Sequence, residues 1–208
     1  MLRRLSAFAF ATLLLTSCSM VSDNGFVSID GLKDCDLLFH IAPSDNPITD
    51  VTQGIDNQKI DHVAVFFRQD GKPVVVEAVG KGVVITPIDS FLSREGDVVA
   101  GIFRKNFDRK RSLRTALSYL GRQYDYLYLP DNTDIYCSEL VQISYIYNKG
   151  KRVFDPIPMS FHDETGNITD YWRDFYARQG MDVPEGRDGT NPGEMSRRKI
   201  IKIRQLKR

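Results

Sequence analysis

The middle of the chain consists of short runs of β-branched and aromatic residues separated by turn signals, which constrains the fold more than any other feature. Four such runs occur, at residues 62–67, 74–79, 83–86 and 98–103. Asp70-Gly71 separates the first two runs and is a dipeptide typical of tight hairpins. Gly80-Lys81-Gly82 provides a second turn signal. The pattern predicts an antiparallel β-meander.

Helical segments follow these strands. Asp108 can cap a helix that runs to Leu120 and stops at Gly121, and further helices are expected at residues 137–148 and 169–178. Another apolar run, residues 35–41, predicts a strand before the meander. Strands followed by helices indicate an α+β fold, which we expect to occupy one domain, residues 31–208.

Composition supports one packed domain. Apolar residues make up 42% of the 208 residues, enough for a hydrophobic core. The 28 Lys and Arg nearly balance the 27 Asp and Glu, which argues against a nucleic-acid-binding protein. Many basic residues lie at positions 197–208, interleaved with isoleucines. They suggest a closing strand with charged gatekeepers, or alternatively contact with anionic lipid.

The N-terminus has the features of a targeting signal. Arg3 and Arg4 precede an apolar run at residues 5–15 that is too short to cross a bilayer as a helix. Leu15-Thr16-Ser17-Cys18 then resembles the lipobox of bacterial lipoproteins, whose cysteine is acylated. We therefore expect a signal peptide at residues 1–18, lipidation of Cys18, a tether at residues 19–30 and a location in the bacterial cell envelope, anchored to the membrane and most consistent with the outer membrane. The alternative is a signal peptide cleaved nearby, with Cys18 incidental.

Cys137 lies at the predicted start of a helix. The free N–H groups and the positive dipole of a helix N-terminus favour a nucleophilic thiolate. The same N–H groups can stabilise the oxyanion that forms during acyl transfer. The alternative interpretation is a small buried residue at a helix start.

His62 is the best-placed base for such a thiol. With a two-residue loop at Asp70-Gly71, Glu77 is the diagonal neighbour of His62; with a four-residue loop at residues 68–71, the two residues pair directly. Either register puts His62 and Glu77 on one face, where a carboxylate can orient the imidazole. Cys137, His62 and Glu77 then form a nucleophile, a base and an orienting group.

The other histidines and cysteines fit structural roles better. His40 lies in an apolar strand, which suggests a core histidine, and His162 lies in a polar loop that could line a cleft. Cys35 is expected in a strand, buried, and a disulfide between Cys35 and Cys137 would abolish the thiolate. The histidines and cysteines lack the paired spacing of a metal site, so neither a metal nor another cofactor is expected.

Several segments occur in the order found in a known family: Cys35-Asp36-Leu37-Leu38-Phe39, His62-Val63-Ala64-Val65-Phe66, Val76-Glu77-Ala78, Tyr124-Asp125 and Tyr136-Cys137-Ser138-Glu139-Leu140-Val141. They resemble the circularly permuted papain-like enzymes of the NlpC/P60 superfamily, specifically the YaeF/YiiX branch. In these enzymes the histidine precedes the cysteine, the reverse of the papain order. The resemblance implies a permuted papain-like fold, with an antiparallel β-meander or barrel packed on helices.

The resemblance also implies site residues. Cys137 matches the nucleophile, His62 the base and Glu77 the third polar member, while Tyr124 and Tyr136 match aromatic positions near the substrate. Cys35 departs from the glycine commonly found there.

We therefore expect a lipid-anchored envelope hydrolase that cleaves an amide or ester through an acyl-enzyme, acting on an envelope peptide amide or an acyl-lipid. The alternatives are an acyltransferase or lipid-amide hydrolase, and an envelope protein that binds a ligand without turnover.

Overall fold

Seven strands form one open sheet in the computed structural model, which describes residues 25–130 and 132–207. In chain order the strands are β1 (Phe26–Ser28), β2 (Leu37–Ile41), β3 (Ile60–Gln69), β4 (Lys72–Val79), β5 (Gly82–Pro87), β6 (Asp97–Phe103) and β9 (Ile201–Lys207). Their order across the sheet is β1-β9-β6-β2-β3-β4-β5. The pair β1–β9 is parallel and the other pairs are antiparallel.

The hairpin between β3 and β4 has the two-residue loop. Gln69 pairs with Lys72, so Asp70 and Gly71 alone make the turn. Both loop residues have positive φ, 51° and 78°, as the tight turn of a two-residue hairpin requires. This loop selects the first of the two expected registers, and the β3–β4–β5 meander is confirmed.

The fourth expected strand of the meander lies elsewhere. After β5 the chain forms a short helix, α2 (Ile88–Leu92), which packs on β4 and β5 and carries the chain across one face of the sheet. β6 therefore pairs with β2 rather than with β5. Within the described residues the sheet keeps two free edges, β1 and β5, so the expectation of a meander or barrel is confirmed for the meander only: the sheet is not a closed barrel.

The described residues form five further α-helices. They are α1 (Pro47–Val51), α3 (Arg109–Ser118), α4 (Cys137–Ser144), α5 (Asp170–Arg178) and α6 (Pro192–Ser196), and a small ribbon pairs β7 (Ile157–Pro158) with β8 (Asp188–Gly189). Asp108 caps α3 as expected, its side chain accepting from the N–H of Arg111 at 3.0 Å. α4 ends four residues earlier than expected because Tyr145 takes extended backbone angles.

Two apolar layers bury both faces of the sheet. Val63, Val65 and Leu140 belong to the layer beneath α4, and Phe66 and Phe91 belong to the layer beneath α2. Because both faces are covered, β3 is apolar almost without alternation. None of the helices in the described ranges is both long and apolar enough to cross a bilayer.

The first and last strands were partly anticipated. The basic C-terminal segment forms a strand as expected, β9, which lies between β1 and β6. Residues 26–31 form β1 and a 3₁₀ turn, so the expected tether at residues 19–30 is too long: main-chain pairing with β9 draws residues 26–28 into the sheet. Cys18 and residues 1–24 lie outside the described residues.

Candidate active site

Cys137 is the first residue of α4. The preceding residue, Tyr136, has an extended backbone (φ −96°, ψ 170°), so the chain turns into the helix at the cysteine itself. The carboxylate of Glu139 accepts from the N–H of Tyr136 at 3.4 Å and so fastens the helix start. The N–H groups of the first helical turn have no partners within a helix, which surrounds the thiol with donors.

His62 meets Glu77 where two strands separate. The ladder between β3 and β4 runs only from Gln69–Lys72 to Val65–Val76; beyond that point β3 pairs only with β2, and β4 only with β5. His62 Nε2 lies 2.7 Å from Glu77 Oε2 across this opening. The diagonal relationship expected from the two-residue loop is therefore realised as a direct hydrogen bond.

Cys137 is the second partner of His62. α4 packs against both β3 and β4, which brings its first residue to the opening between them. Burial opposes protonation of the imidazole, but hydrogen bonds with Cys137 and Glu77 outweigh it and raise the pKa of His62 to about 10. Because Glu77 occupies Nε2, Nδ1 is the nitrogen left for the sulfur. At neutral pH the ring is therefore an imidazolium, with one N–H directed at the carboxylate and the other available to the sulfur.

Glu77 is fully buried yet remains ionised. Its Oε1 accepts from Thr86 Oγ1 at 2.6 Å, and Arg94 donates to both carboxylate oxygens, at 2.8 and 2.5 Å. Burial alone would raise the pKa of Glu77, but the hydrogen bonds from His62, Arg94 and Thr86 lower it to about 2. The carboxylate is thus held in place by three side chains.

Two of these three partners were not predicted from the sequence. Thr86 pairs with Val75 across β4–β5, so strand parity places it on the face of Glu77, and that signal was present in the sequence. Arg94 follows α2, and no periodicity links it to Glu77.

His40 lies beside His62 on the neighbouring strand and is buried, as expected, but it is not inert. Its Nδ1 lies 2.7 Å from Asp61 Oδ1 and its Nε2 lies 2.7 Å from the carbonyl oxygen of Glu95. Both partners are acceptors, so both nitrogens carry hydrogen. Accordingly, the bond to Asp61 raises the pKa of His40 against the effect of burial.

His162 stands apart from Cys137. It lines a different cavity, with Thr49 and Glu164, and contacts Ser160 and Glu185. It is not among the residues that line the Cys137 cavity.

Cys35 is buried as expected, but it lies in a turn before β2 rather than in a strand. Its φ is +64°, a left-handed conformation that favours glycine, which accounts for the glycine commonly found there. The thiol donates to the carbonyl oxygen of Arg109 at 3.3 Å, and burial raises its pKa to about 12. Cys35 and Cys137 are both free thiols.

The expected aromatic residues do line the cavity that contains Cys137. This narrow cavity, about 60 Å³, is walled mainly by apolar side chains: Ile48, Val51, Tyr124, Tyr128, Tyr136, Met159, Phe161 and Trp172. The hydroxyl of Tyr136 is already engaged, accepting from the N–H of Thr190 at 3.1 Å and donating to Met159 Sδ at 3.8 Å. Burial and the neighbouring Cys137 raise the pKa of Tyr124, so it remains a neutral phenol. Tyr136 therefore contributes its ring to the cavity lining, and Tyr124 lies near the Cys137 sulfur.

Across residues 25–130 and 132–207, no three side chains of His, Cys, Asp or Glu are grouped so as to hold an ion.

Comparisons with known proteins give one family and one fold. The sequence profile of a family described as "Permuted papain-like amidase enzyme, YaeF/YiiX, C92 family" matches residues 32–202. The crystal structure of a protein described as the metalloprotein yiiX from Escherichia coli O157:H7 superposes with a TM-score of 0.67 at 21% identity, covering 84% of this chain and 98% of that chain. At this identity the likeness concerns the fold. No curated protein matches the sequence.

Proposed function

The chain belongs to the YaeF/YiiX family of permuted papain-like amidases, and from that premise we propose that it hydrolyses an amide bond with Cys137 as nucleophile, His62 as proton carrier and Glu77 as orienting group. The observation that carries the proposal is the position of His62, between Cys137 on one side and Glu77, 2.7 Å from Nε2, on the other. A thiol, an imidazole and a carboxylate in this order are the parts of a cysteine hydrolase.

The reaction begins when the Cys137 thiol transfers its proton to His62, whose raised pKa favours the protonated ring, which gives a thiolate beside an imidazolium. The Cys137 thiolate attacks the carbonyl carbon, and the N–H groups at the start of α4 stabilise the resulting oxyanion. His62 then donates its Nδ1 proton to the leaving amine as the C–N bond breaks, which leaves a thioester on Cys137.

Water completes the cycle. Neutral His62 takes a proton from the attacking water, the second tetrahedral intermediate expels the thiolate, and His62 is again an imidazolium. Glu77 stays ionised throughout because its pKa is about 2. Its role is to hold the ring and to stabilise the positive charge.

The cavity favours a substrate with an apolar group next to the scissile bond. Tyr124 and Tyr136 flank Cys137 in a lining that is mainly aromatic and aliphatic, and a narrow apolar cleft of this kind accepts a side chain or an acyl chain. An acyl-lipid amide is therefore a second candidate beside an envelope peptide amide, and transfer of the acyl group to another acceptor would use the same thioester.

We further propose that the enzyme acts at the cell envelope, anchored through Cys18. The support is the charged and apolar N-terminal sequence ending in Leu15-Thr16-Ser17-Cys18. Because β1 begins at Phe26 and lies at one edge of the sheet, the anchor would be joined to the sheet at that edge.

A thiol-directed probe and two substrate sets test the proposal. The purified chain is incubated with an amide-mimicking electrophile, then separately with acyl-amino-acid amides and with peptides from the cell wall. We expect labelling at Cys137 and release of amine from at least one set, both absent in Cys137→Ala. Ligand binding without labelling or amine release would instead indicate a binding protein. For the anchor, incorporation of a fatty-acid analogue should be lost in Cys18→Ala, and continued labelling of that variant would show that another residue is acylated.

A further inference from the structure

Arg94 makes the most extensive side-chain contact with the Glu77 carboxylate. Its two terminal nitrogens donate to the two oxygens of Glu77, the two-point geometry in which guanidinium and carboxylate fit best. The guanidinium also lies 4.8 Å from the centre of the Phe91 ring, which packs beside His62. Arg94 therefore closes the side of the His62–Glu77 pair away from Cys137.

The turn that carries Arg94 is itself held in place. The carbonyl oxygen of the next residue, Glu95, accepts from His40 Nε2 at 2.7 Å. Gly96 has φ +108°, and a Cβ there would lie 2.3 Å from the carbonyl oxygen of Ile41. This close backbone approach and the His40 bond fix the turn against β2, so Arg94 reaches Glu77 from a rigid position.

We propose that Arg94 is a positioning residue of the active site, which holds the Glu77 carboxylate ionised and in the orientation that aligns His62 with Cys137. The proposal rests on the roles assigned above to Cys137, His62 and Glu77. Arg94 does not line the Cys137 cavity, so its action is through Glu77 and not on the substrate.

The physical need for such a residue comes from burial. A carboxylate without solvent exposure is costly unless charged or hydrogen-bonding partners compensate it. Without Arg94, Glu77 would lose two donors and a positive charge, and its pKa would rise from about 2 towards the ordinary glutamate range. A carboxylate free to turn or to take a proton would no longer hold His62 Nε2.

Acid stability tests the first half of the proposal. The free energy of unfolding of wild type, Arg94→Gln and Arg94→Lys is measured from pH 7 to pH 2. Since Glu77 then takes its proton at a higher pH, the fall in the free energy of unfolding from pH 7 to pH 2 should be smaller in Arg94→Gln than in wild type, and intermediate in Arg94→Lys. An equal fall in all three chains would overturn the claim that Arg94 keeps Glu77 ionised.

Arg68 provides a matched control. It also lies over an aromatic ring, Phe66, at 5.2 Å, but it donates to the carbonyl oxygens of Leu32 and Ile29 instead of to Glu77. Arg68→Gln should lower stability about equally at every pH. If the fall in the free energy of unfolding from pH 7 to pH 2 were reduced in Arg68→Gln as much as in Arg94→Gln, loss of any arginine would suffice, which would contradict the proposal.

Alkylation of Cys137 tests the second half without a known substrate. The rate with iodoacetamide at pH 7, measured by peptide mass spectrometry on folded protein, should fall on the order of 10- to 100-fold in Arg94→Gln, as for other residues that orient a functional histidine. It should not change in Arg68→Gln. If Arg94 acts through Glu77, the double variant Glu77→Ala/Arg94→Gln should react as slowly as Glu77→Ala alone.

Two results would overturn this half. One is an alkylation rate in Arg94→Gln equal to that of the wild type. The other is a double variant that reacts more slowly than Glu77→Ala by the same factor by which Arg94→Gln slows the wild type. Failure of the proposed function would look different, because Cys137 of the wild type would then react as slowly as that of the variants. The acid-stability comparison would still decide whether Arg94 holds Glu77.

Discussion

His62 and Glu77 are 15 residues apart in the chain, and their side chains meet at 2.7 Å where β3 and β4 separate. The contact depends on the turn at Asp70-Gly71, since a loop one residue longer or shorter would put the two side chains on opposite faces of the hairpin. The His62–Glu77 contact therefore lies at the open end of the β3–β4 hairpin, and the turn at the opposite end sets its geometry.

Loss of the nucleophile or of its proton carrier should abolish turnover. Cys137→Ala and His62→Ala should each reduce kcat by about 10⁴-fold or more, and the double variant should be no worse than either, because the two groups act as a unit. Steady-state kinetics on the amide substrate check this. Multiplying losses would mean that the two residues act independently.

Substitutions of Glu77 should show graded effects. Glu77→Gln should keep partial activity, roughly a tenth, because an amide can also orient the imidazole, as in cysteine-histidine-asparagine enzymes. Glu77→Ala should lose roughly 100-fold or more and should also unfold more easily, since it leaves Arg94 without its buried partner. We expect kcat to decrease in the order wild type, Glu77→Gln, Glu77→Ala. Equal activity of the two variants would contradict the orienting role of Glu77.

Stability should fall at both ends of the pH range, for opposite reasons. Glu77 has a lowered pKa, so its contribution is present above the ordinary value, about 4.3, and is lost as pH falls towards about 2. His62 has a raised pKa, so its contribution is complete below about 6.5 and is lost as pH rises towards about 10. Denaturant unfolding from pH 2 to pH 10 should show both slopes. The acid slope should be smaller in Glu77→Gln, and the alkaline slope should be smaller in His62→Ala.

The other two histidines should behave differently from His62. His162→Ala should change kcat and stability little, because the side chain is half-exposed and does not line the Cys137 cavity. His40→Ala should lower stability by about 1–3 kcal/mol, because Asp61 and the Glu95 carbonyl each lose a partner. Thermal unfolding and kinetics separate the cases. An inactive His162→Ala variant together with an active His62→Ala variant would refute the assignment of His62 as the base.

Cys35 tests the backbone argument. Both Cys35→Gly and Cys35→Ala remove the buried sulfur and its bond to Arg109, but only glycine relieves the strain at φ +64°. Cys35→Gly should therefore be more stable than Cys35→Ala by about 1 kcal/mol. Chemical denaturation of the two variants measures the difference, and equal stabilities would show that the turn imposes no strain.

Much of the site followed from local patterns in the chain. Alternation along a strand puts His62 and Glu77 on one face as soon as the turn is recognised, and the polar loop before Cys137 indicates the start of a helix. Thr86 was within reach of the same reasoning, because it lies on a strand whose register with β4 follows from a tight turn. Arg94 was not, since it follows a five-residue helix whose direction depends on what it packs against.

The sequence by itself determined the place of the β3–β4 turn, the common face of His62 and Glu77 and the helix start at Cys137, because each depends on backbone angles and side-chain alternation within a few residues. Only the tertiary structure decided that the turn has two residues, that β6 pairs with β2, that the sheet stays open, and that Arg94 holds Glu77. These neighbours are distant along the chain or carried by loops. Their positions follow from the burial of both faces of the sheet at once, a sum over many residues that no local pattern contains.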